Sequence, residues 1–366
     1  MNFIQKFKNL VAELYARAQR GLKPSLLIAY CIGFSLFINA GIAFCNDSME
    51  DWNKISGPIP VVNQTPIQLL FLQPIPDRAE TYPKNRYSVN LTTAMSNTLL
   101  WYMSDHYYGF IDMEMIRTSL ELRYGIFSGV EIDMSVPFVY GYGGIMDHDI
   151  HEFEKLWFEN TRDLRDKEDR GGWKNHYTFS VMKDGKAFIQ GEERGSGLGD
   201  LALTVKGKIL DEGDIVPCLS ARLSIKIPTG DDERALGSGK VDYGVGLLLQ
   251  KTVKSFTTYL NADVTIPGQA YKQEDISLRP FCNIMLGEEY KLTERLSGLM
   301  QLSYITRPFE HTGLVMLDDR MWYVLLGLNY LTKTGLYIQG GLIQDTFDSS
   351  DAGADITFFL NVGKNF

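Results

Sequence analysis

GSGLGDLALTVKGK at 195–208, CLSARLSIKIPTG at 218–230 and GSGKVDYGVGLLLQ at 237–250 are the stretches whose reading decides the fold. Each alternates with period two. Leu201, Leu203 and Val205 fall on one side, and Ala202, Thr204 and Lys206 on the other. Leu219, Ala221, Leu223, Ile225 and Ile227 oppose Ser220, Arg222, Ser224 and Lys226. Tyr243, Val245, Leu247 and Leu249 oppose Asp242, Gly244, Gly246 and Gln250. A sandwich strand in a soluble protein alternates in the same way, so one strand decides nothing. Here the pattern recurs to the last residue, in a chain that begins with an export-like leader. Together these point to an all-β protein, an antiparallel transmembrane β-barrel.

Composition fits that class. The 366 residues suit one large barrel, and the net charge of -9 leaves no basic stripe for nucleic acid, which is excluded as a partner. A mean hydropathy of -0.12 looks soluble. A barrel gives the same value, because its inward residues and loops dilute the apolar face. The 20 Phe and 19 Tyr suit strands and interfacial girdles. Cys218 and Cys282 fall on opposite faces of their strands, and no CxxC pair is present for metal or redox chemistry.

The chain begins with Lys6, Lys8, Arg17, Arg20 and Lys23 against Glu13, followed by a charge-free run from Pro24 to Phe44. Residues 1–45 therefore read as a signal peptide with a long basic leader, cleaved before Asn46 or before Phe44. The run is also long enough to stay as an inner-membrane anchor. Cys45 offers a lipoprotein reading, although Phe44 stands where a small residue should precede the modified cysteine. Residues 46–86 hold six prolines, Pro58, Pro60, Pro66, Pro74, Pro76 and Pro83, too many for a central ladder strand. Within them Ile67, Leu69, Leu70, Phe71 and Leu72 are too apolar for a free tail. They are the candidates for a plug in a periplasmic lead-in, with a first wall strand beside 87–95 as the rival.

From 87 to 366 the pattern predicts about 14 strands, with 12 as the alternative. The candidates are 87–95, 116–126, 130–139, 176–182, 186–191, 200–208, 218–227, 241–250, 256–265, 276–286, 296–304, 321–330, 335–343 and 355–366. With the C-terminus in the periplasm, connections such as 127–129, 183–185, 251–255 and 331–334 lie inside and are short. Those such as 96–115, 140–175 and 305–320 lie outside and are long, the asymmetry of an outer-membrane barrel.

The same phase turns Glu121, Arg123, Glu131, Asp133, Lys206, Arg222, Lys226, Asp242, Asp263 and Arg279 toward the lumen, since lipid penalises charge heavily. Both signs occur, so internal ion pairing competes with solute guidance as their role. Asp147, His148, Asp149 and His151 sit in the longest outer segment without the spacing of a metal site. A charged loop is the plainer reading, and neither metal nor cofactor is expected. GSGLGD resembles a phosphate loop but precedes a strand and lacks the lysine and hydroxyl that follow in such loops; a tight turn fits better. No serine and histidine stand at a spacing that signals catalysis, so an enzyme is not expected.

The closing DITFFLNVGKNF ends in an aromatic on an alternating strand, resembling the signal read by the barrel-assembly machinery. Several pieces resemble a family of Gram-negative outer-membrane proteins of unknown function (domain-of-unknown-function family 3187). They are Gly57–Pro58, Asn63–Gln64–Thr65–Pro66, the Asp149–Ile–His151 region, GSGLGD at 195–200, KIPTGD at 226–231 and LGSGKVDYGVG at 236–246. Similar glycine patterns recur in barrels grouped with transporters of fatty acids and aromatic compounds. The resemblance implies an outer membrane, contact with its lipid, and a barrel without an assigned activity. A channel or transporter for small solutes, hydrophobic ones included, is the leading expectation. A structural or adhesive barrel with a closed lumen and an outer-membrane hydrolase are the alternatives.

Overall fold

The structure, a computed structural model, describes residues 57–150, 175–345 and 353–366. The leader, His151 and most of the longest outer segment lie outside the described residues. The strands are β1 (Tyr87–Met103), β2 (Tyr107–Phe127), β3 (Val130–Tyr142), β4 (Thr178–Lys183), β5 (Lys186–Gln190), β6 (Ser196–Leu198), β7 (Leu201–Leu210) and β8 (Cys218–Ile227). They continue as β9 (Asp242–Val253), β10 (Phe256–Ile266), β11 (Phe281–Lys291), β12 (Leu296–Ile305), β13 (Met321–Leu331), β14 (Leu336–Asp345) and β15 (Ile356–Asn365). One short helix, α1 (Val315–Asp318), lies in the connection from β12 to β13.

Twelve strands close a ring, in the order β1, β2, β3, then β7 through β15, every pair antiparallel. The closure is the β1–β15 pairing, from Ser88 opposite Asn365 to Asn97 opposite Ile356. A closed ring leaves no open strand edge in lipid, where an unpaired backbone group costs several kcal/mol. Phe366 reinforces the seam. Its backbone exchanges hydrogen bonds with Tyr87 at 3.2 and 2.8 Å, and the two rings stack 4.8 Å apart.

The ring therefore has 12 strands, the alternative count, in place of 14. Segments 176–182 and 186–191 do form strands, but β4 pairs only with the outer part of β2, from Tyr107 opposite Lys183 to Asp112 opposite Thr178, and β5 pairs with β4. This hairpin leans on an extension of the wall. Its 183–185 turn consequently belongs to the outer end, not the periplasmic end. The 96–115 connection is also corrected. β1 and β2 run through it to a tight turn at 104–106. Its alternation is masked because Ser96 to Leu100 are all buried, covered on both faces at the outer end.

Burial follows the alternation. Along β8, Cys218, Ser220, Arg222, Ser224 and Lys226 are buried and their apolar neighbours are not. Leu223 is 66% exposed, and Leu247, Leu328 and Leu360 likewise present their side chains outward on other strands. Polar and charged residues inside and large apolar ones outside invert the pattern of a soluble core. Such an exterior is compatible only with a lipid surround. The inner turns, at 128–129, 211–217, 254–255, 292–295 and 332–335, remain shorter than the major outer connections.

Candidate functional site

Residues 57–86 follow no ladder, yet most are buried. Both edges of β1 are taken, by β2 and β15, so the wall offers no place for 67–72. The segment instead threads the lumen, and inward side chains of the wall satisfy its backbone. A buried backbone amide or carbonyl must find a partner, and six prolines already reduce the number of amides to satisfy. Ile59 N donates to Gln301 Oε1. Leu72 N donates to Asp242 at 2.8 Å, and Asp77 N to Asn261 at 2.8 Å. Tyr82 N donates to Glu131 at 2.6 Å. In the other direction Thr265 reaches Leu72 O, Asn261 reaches Asp77 O, and Ser220 reaches Ala79 O.

Of the apolar candidates, Ile67, Leu70, Phe71 and Leu72 are buried and Leu69 is half-buried. Gln68–Leu70 winds a single 3-10 turn that brings Phe71 edge-on to Phe281 and Phe309, at 6.3 and 5.7 Å. Phe309 in turn stacks on Tyr271 and meets Phe188. Aromatic rings from the outer loops and the β4–β5 hairpin thus close over the tip of the lead-in.

Nine of the ten charged candidates lie on wall strands, and they gather into three nodes. In the first, Asp77 of the lead-in pairs with Arg123 of β2 and Lys206 of β7. Lys206 Nζ is 2.7 Å from Glu131 and 2.9 Å from Arg78 O. Glu121 lies 3.6 Å from Arg123. Burial alone would raise the Asp77 pKa; the Arg123 and Lys206 charges override it and hold the carboxyl well below the usual range. Asp77, Glu131 and Asp133 bring carboxylate oxygens within 4.8 Å of one another, a spacing that suits a cation. Lys206 Nζ already fills that role for Asp77 and Glu131.

In the second node Arg222 forks onto Asp263 at 2.6 and 2.7 Å and gives a third bond to Ile75 O at 2.6 Å. In the third, Lys226 Nζ meets Asp200 at 2.7 Å, Asp242 at 3.1 Å, Ser238 at 2.7 Å and Leu70 O at 2.6 Å. Arg279 is the exception. β11 starts at Phe281, so Arg279 belongs to the outer connection, where its half-exposed side chain pairs with Glu310 at 2.9 Å. The strand candidate 276–286 began too early because Ile276 and Leu278 carry the apolar phase into a loop that packs on the core.

The three glycine motifs converge on the third node. Asp200 closes GSGLGD and accepts Gly230 N of KIPTGD at 2.9 Å, while Lys226 opens that same motif. A Cβ on Gly237 would sit 2.3 Å from Asp200 Oδ1, which explains a glycine there. Asp200, Asn261 and Gln301 were not singled out by sequence, although the two on strands stand at inward positions of the alternation. Arg117 was also missed, despite sharing the phase of Glu121 and Arg123 on β2.

Between the lead-in and β2, β3 and β7 lies a cavity offering about 80 Å³ to the centre of a water molecule. Met113, Met115, Val139, Phe179 and Leu72 form apolar walls, and Arg117 and Lys226 are among its polar lining.

The protein of unknown function family DUF3187 matches residues 40–366. The chain belongs to this family. No curated protein matches it. Among solved structures it is similar to the COG4313 outer membrane channel from Pseudomonas putida F1. The two share 15% identity over 80% of this chain and 100% of that one, with a TM-score of 0.52. Weaker likenesses include the Ralstonia pickettii toluene transporter TbuX (9% identity, 79% and 91% covered, TM-score 0.37). A Pseudomonas aeruginosa FadL homologue is another (8% identity, 88% and 99% covered, TM-score 0.38). The family, the closed ring and its apolar exterior make this an outer-membrane β-barrel in contact with lipid.

Proposed function

We propose that the protein is an outer-membrane channel or transporter for small solutes, hydrophobic ones included, with residues 57–86 as its plug. The observation that carries the reading is the lead-in itself, held in the lumen by three discrete charge nodes instead of by continuous ladder pairing. Side-chain contacts of this kind can be exchanged without opening the wall. On this reading residues 1–45 are the export signal and the barrel-assembly machinery recognises the terminal strand. The similar barrel from Pseudomonas putida is itself an outer membrane channel, which supports the same direction.

A closed structural barrel is the second reading. It is favoured by the ion pairs within the three nodes and by the aromatic cover formed by Phe71, Phe188, Tyr271 and Phe309. Deleting residues 46–74 and measuring solute flux in liposomes separates the two. A channel gains flux through an intact ring, since residues 57–74 contribute no wall strand. A barrel that stays impermeable to ions and sugars after the deletion rules the plug reading out.

A further inference from the structure

Arg117 lies at an inward position of β2, two and three inward steps before Glu121 and Arg123 respectively, and lines the cavity between lead-in and wall. The other charges around that cavity are paired. Lys226 is held by Asp200 at 2.7 Å, and Arg234 Nε meets Glu192 at 2.7 Å. Among the described residues Arg117 makes neither a hydrogen bond nor an ion pair. Glu121 is the carboxylate whose field reaches it, but Glu121 leans to Arg123, 3.6 Å away. Arg117, with five N–H donors, lines this space beside the apolar side chains of Met113, Met115, Val139, Phe179 and Leu72, while the carboxylates in the lining, Glu192 and Asp200, are taken by Arg234 and Lys226. Arg117 is half-buried, and a guanidinium that loses part of its hydration without a paired counter-charge is left short of partners. This protein satisfies its other cations around the cavity, so the unmet one marks where an external anion belongs.

We propose that this cavity binds a small organic monocarboxylate, its carboxylate on Arg117 and its short apolar chain against Met113, Met115 and Val139. The proposal rests on the reading of the chain as a solute channel and names the class of solute. A planar guanidinium matches a carboxylate with two parallel hydrogen bonds. A single unpaired positive charge suits a monoanion. A dianion such as sulfate would need a second free cation, and both candidates are committed to carboxylates. Size narrows the choice further. An engineered apolar cavity of about 150 Å³ accepts benzene; the space here is about 80 Å³. That fits an acid of butyrate size better than an aromatic acid.

The test is calorimetric titration of the full-length barrel, refolded in detergent and checked by heat-modifiable gel mobility. Sodium butyrate, its neutral isostere butyramide and sodium sulfate are the probes. Butyrate is expected to bind about tenfold or more tightly than butyramide, the yield of a charge-assisted pair. Arg117→Gln should erase that preference, and Arg117→Lys should keep part of it. Val139→Phe, which fills the cavity beside Arg117 and keeps its charge, should weaken butyrate and butyramide alike in a ring that still folds. Equal affinity for butyrate and butyramide, sulfate binding as well as butyrate, an unaltered Arg117→Gln, or no butyrate binding to folded wild type would each overturn the proposal. Liposome flux is scored separately. Arg117-dependent binding without any flux would leave the site standing and remove the channel reading. Flux with Arg117-independent binding would do the reverse.

Discussion

Arg222 on β8 grips Asp263 on β10 across the strand that separates them, with Gly246 of β9 directly beneath the bridge. The register places Arg222 opposite Gly246, and Gly246 opposite Asp263. A Cβ at Gly246 would lie 1.9 Å from Asp263 Oδ1. The glycine in DYGVG is thus required for close approach, and its neighbour Gly244 similarly leaves room for Leu72.

Gly246→Ala should therefore push Asp263 off Arg222 and cost about 1–3 kcal/mol, the usual penalty for overpacking. Gly207→Ala on β7 is the control, because nothing lies within 4 Å of its added Cβ. Urea titration of the refolded barrels reads the difference. Equal midpoints for the two variants would show that the bridge does not depend on that gap.

The lipid-facing assignment is tested at Leu223, midway along β8 and largely exposed. Leu223→Arg should cost about 2–4 kcal/mol near the bilayer midplane. Leu223→Ala, which keeps an apolar surface, should fold nearly as wild type. Folded yield in lipid vesicles, read by gel mobility, compares them, and matching yields would place Leu223 away from the hydrocarbon.

Topology gives a third expectation. A short tag inserted between Asp184 and Gly185 should be labelled on intact cells, because the β4–β5 hairpin packs on the outer part of β2. Both positions already have positive φ, at 49° and 78°, in a tight exposed turn that tolerates interruption. Labelling only after the outer membrane is permeabilised would invert the barrel.

That hairpin also shows where sequence reading reaches its limit. Period two reports that a segment is a strand with two unlike faces, and β4 and β5 satisfy it as well as any wall strand. It does not report the neighbour. Whether Phe179 and Val181 face a lumen or an outer cluster depends on pairing with β2, set by contacts about seventy residues apart in sequence. The wall itself was legible because lipid enforces the alternation strand after strand. The same alternation puts Glu121, Lys206, Arg222 and Asp263 on the buried face of their strands, and Arg117, inside the strand candidate 116–126, shares the phase of Glu121 and Arg123. The partners of 57–86 were not legible. An extended proline-rich segment has no register, and its contacts, such as Ile59 with Gln301 or Asp77 with Lys206, are individual side-chain matches over long separations.

Asp77 ties the lead-in to the wall through Arg123, Lys206 and Asn261. Asp77→Asn keeps the shape but removes the charge that joins Arg123 to Lys206. Breaking a buried pair by removing one partner costs about 3–5 kcal/mol, because the surviving charges stay buried. Here Glu131 still holds Lys206 and Glu121 stands near Arg123, so the lower end of that range is expected. The loss falls on the lead-in and not on the ladder, so the ring should fold while planar-bilayer conductance rises. The pH dependence has a definite sign. A carboxyl whose folded pKa is depressed contributes stability above its ordinary value of 3.8, and that stability is lost as pH falls through the depressed one. The Asp77 charge should therefore hold the segment from neutrality down to about pH 4 and be lost only in stronger acid. Asp77→Asn should already be open at neutral pH. A variant that folds and conducts no more than wild type would show that this node does not retain the lead-in.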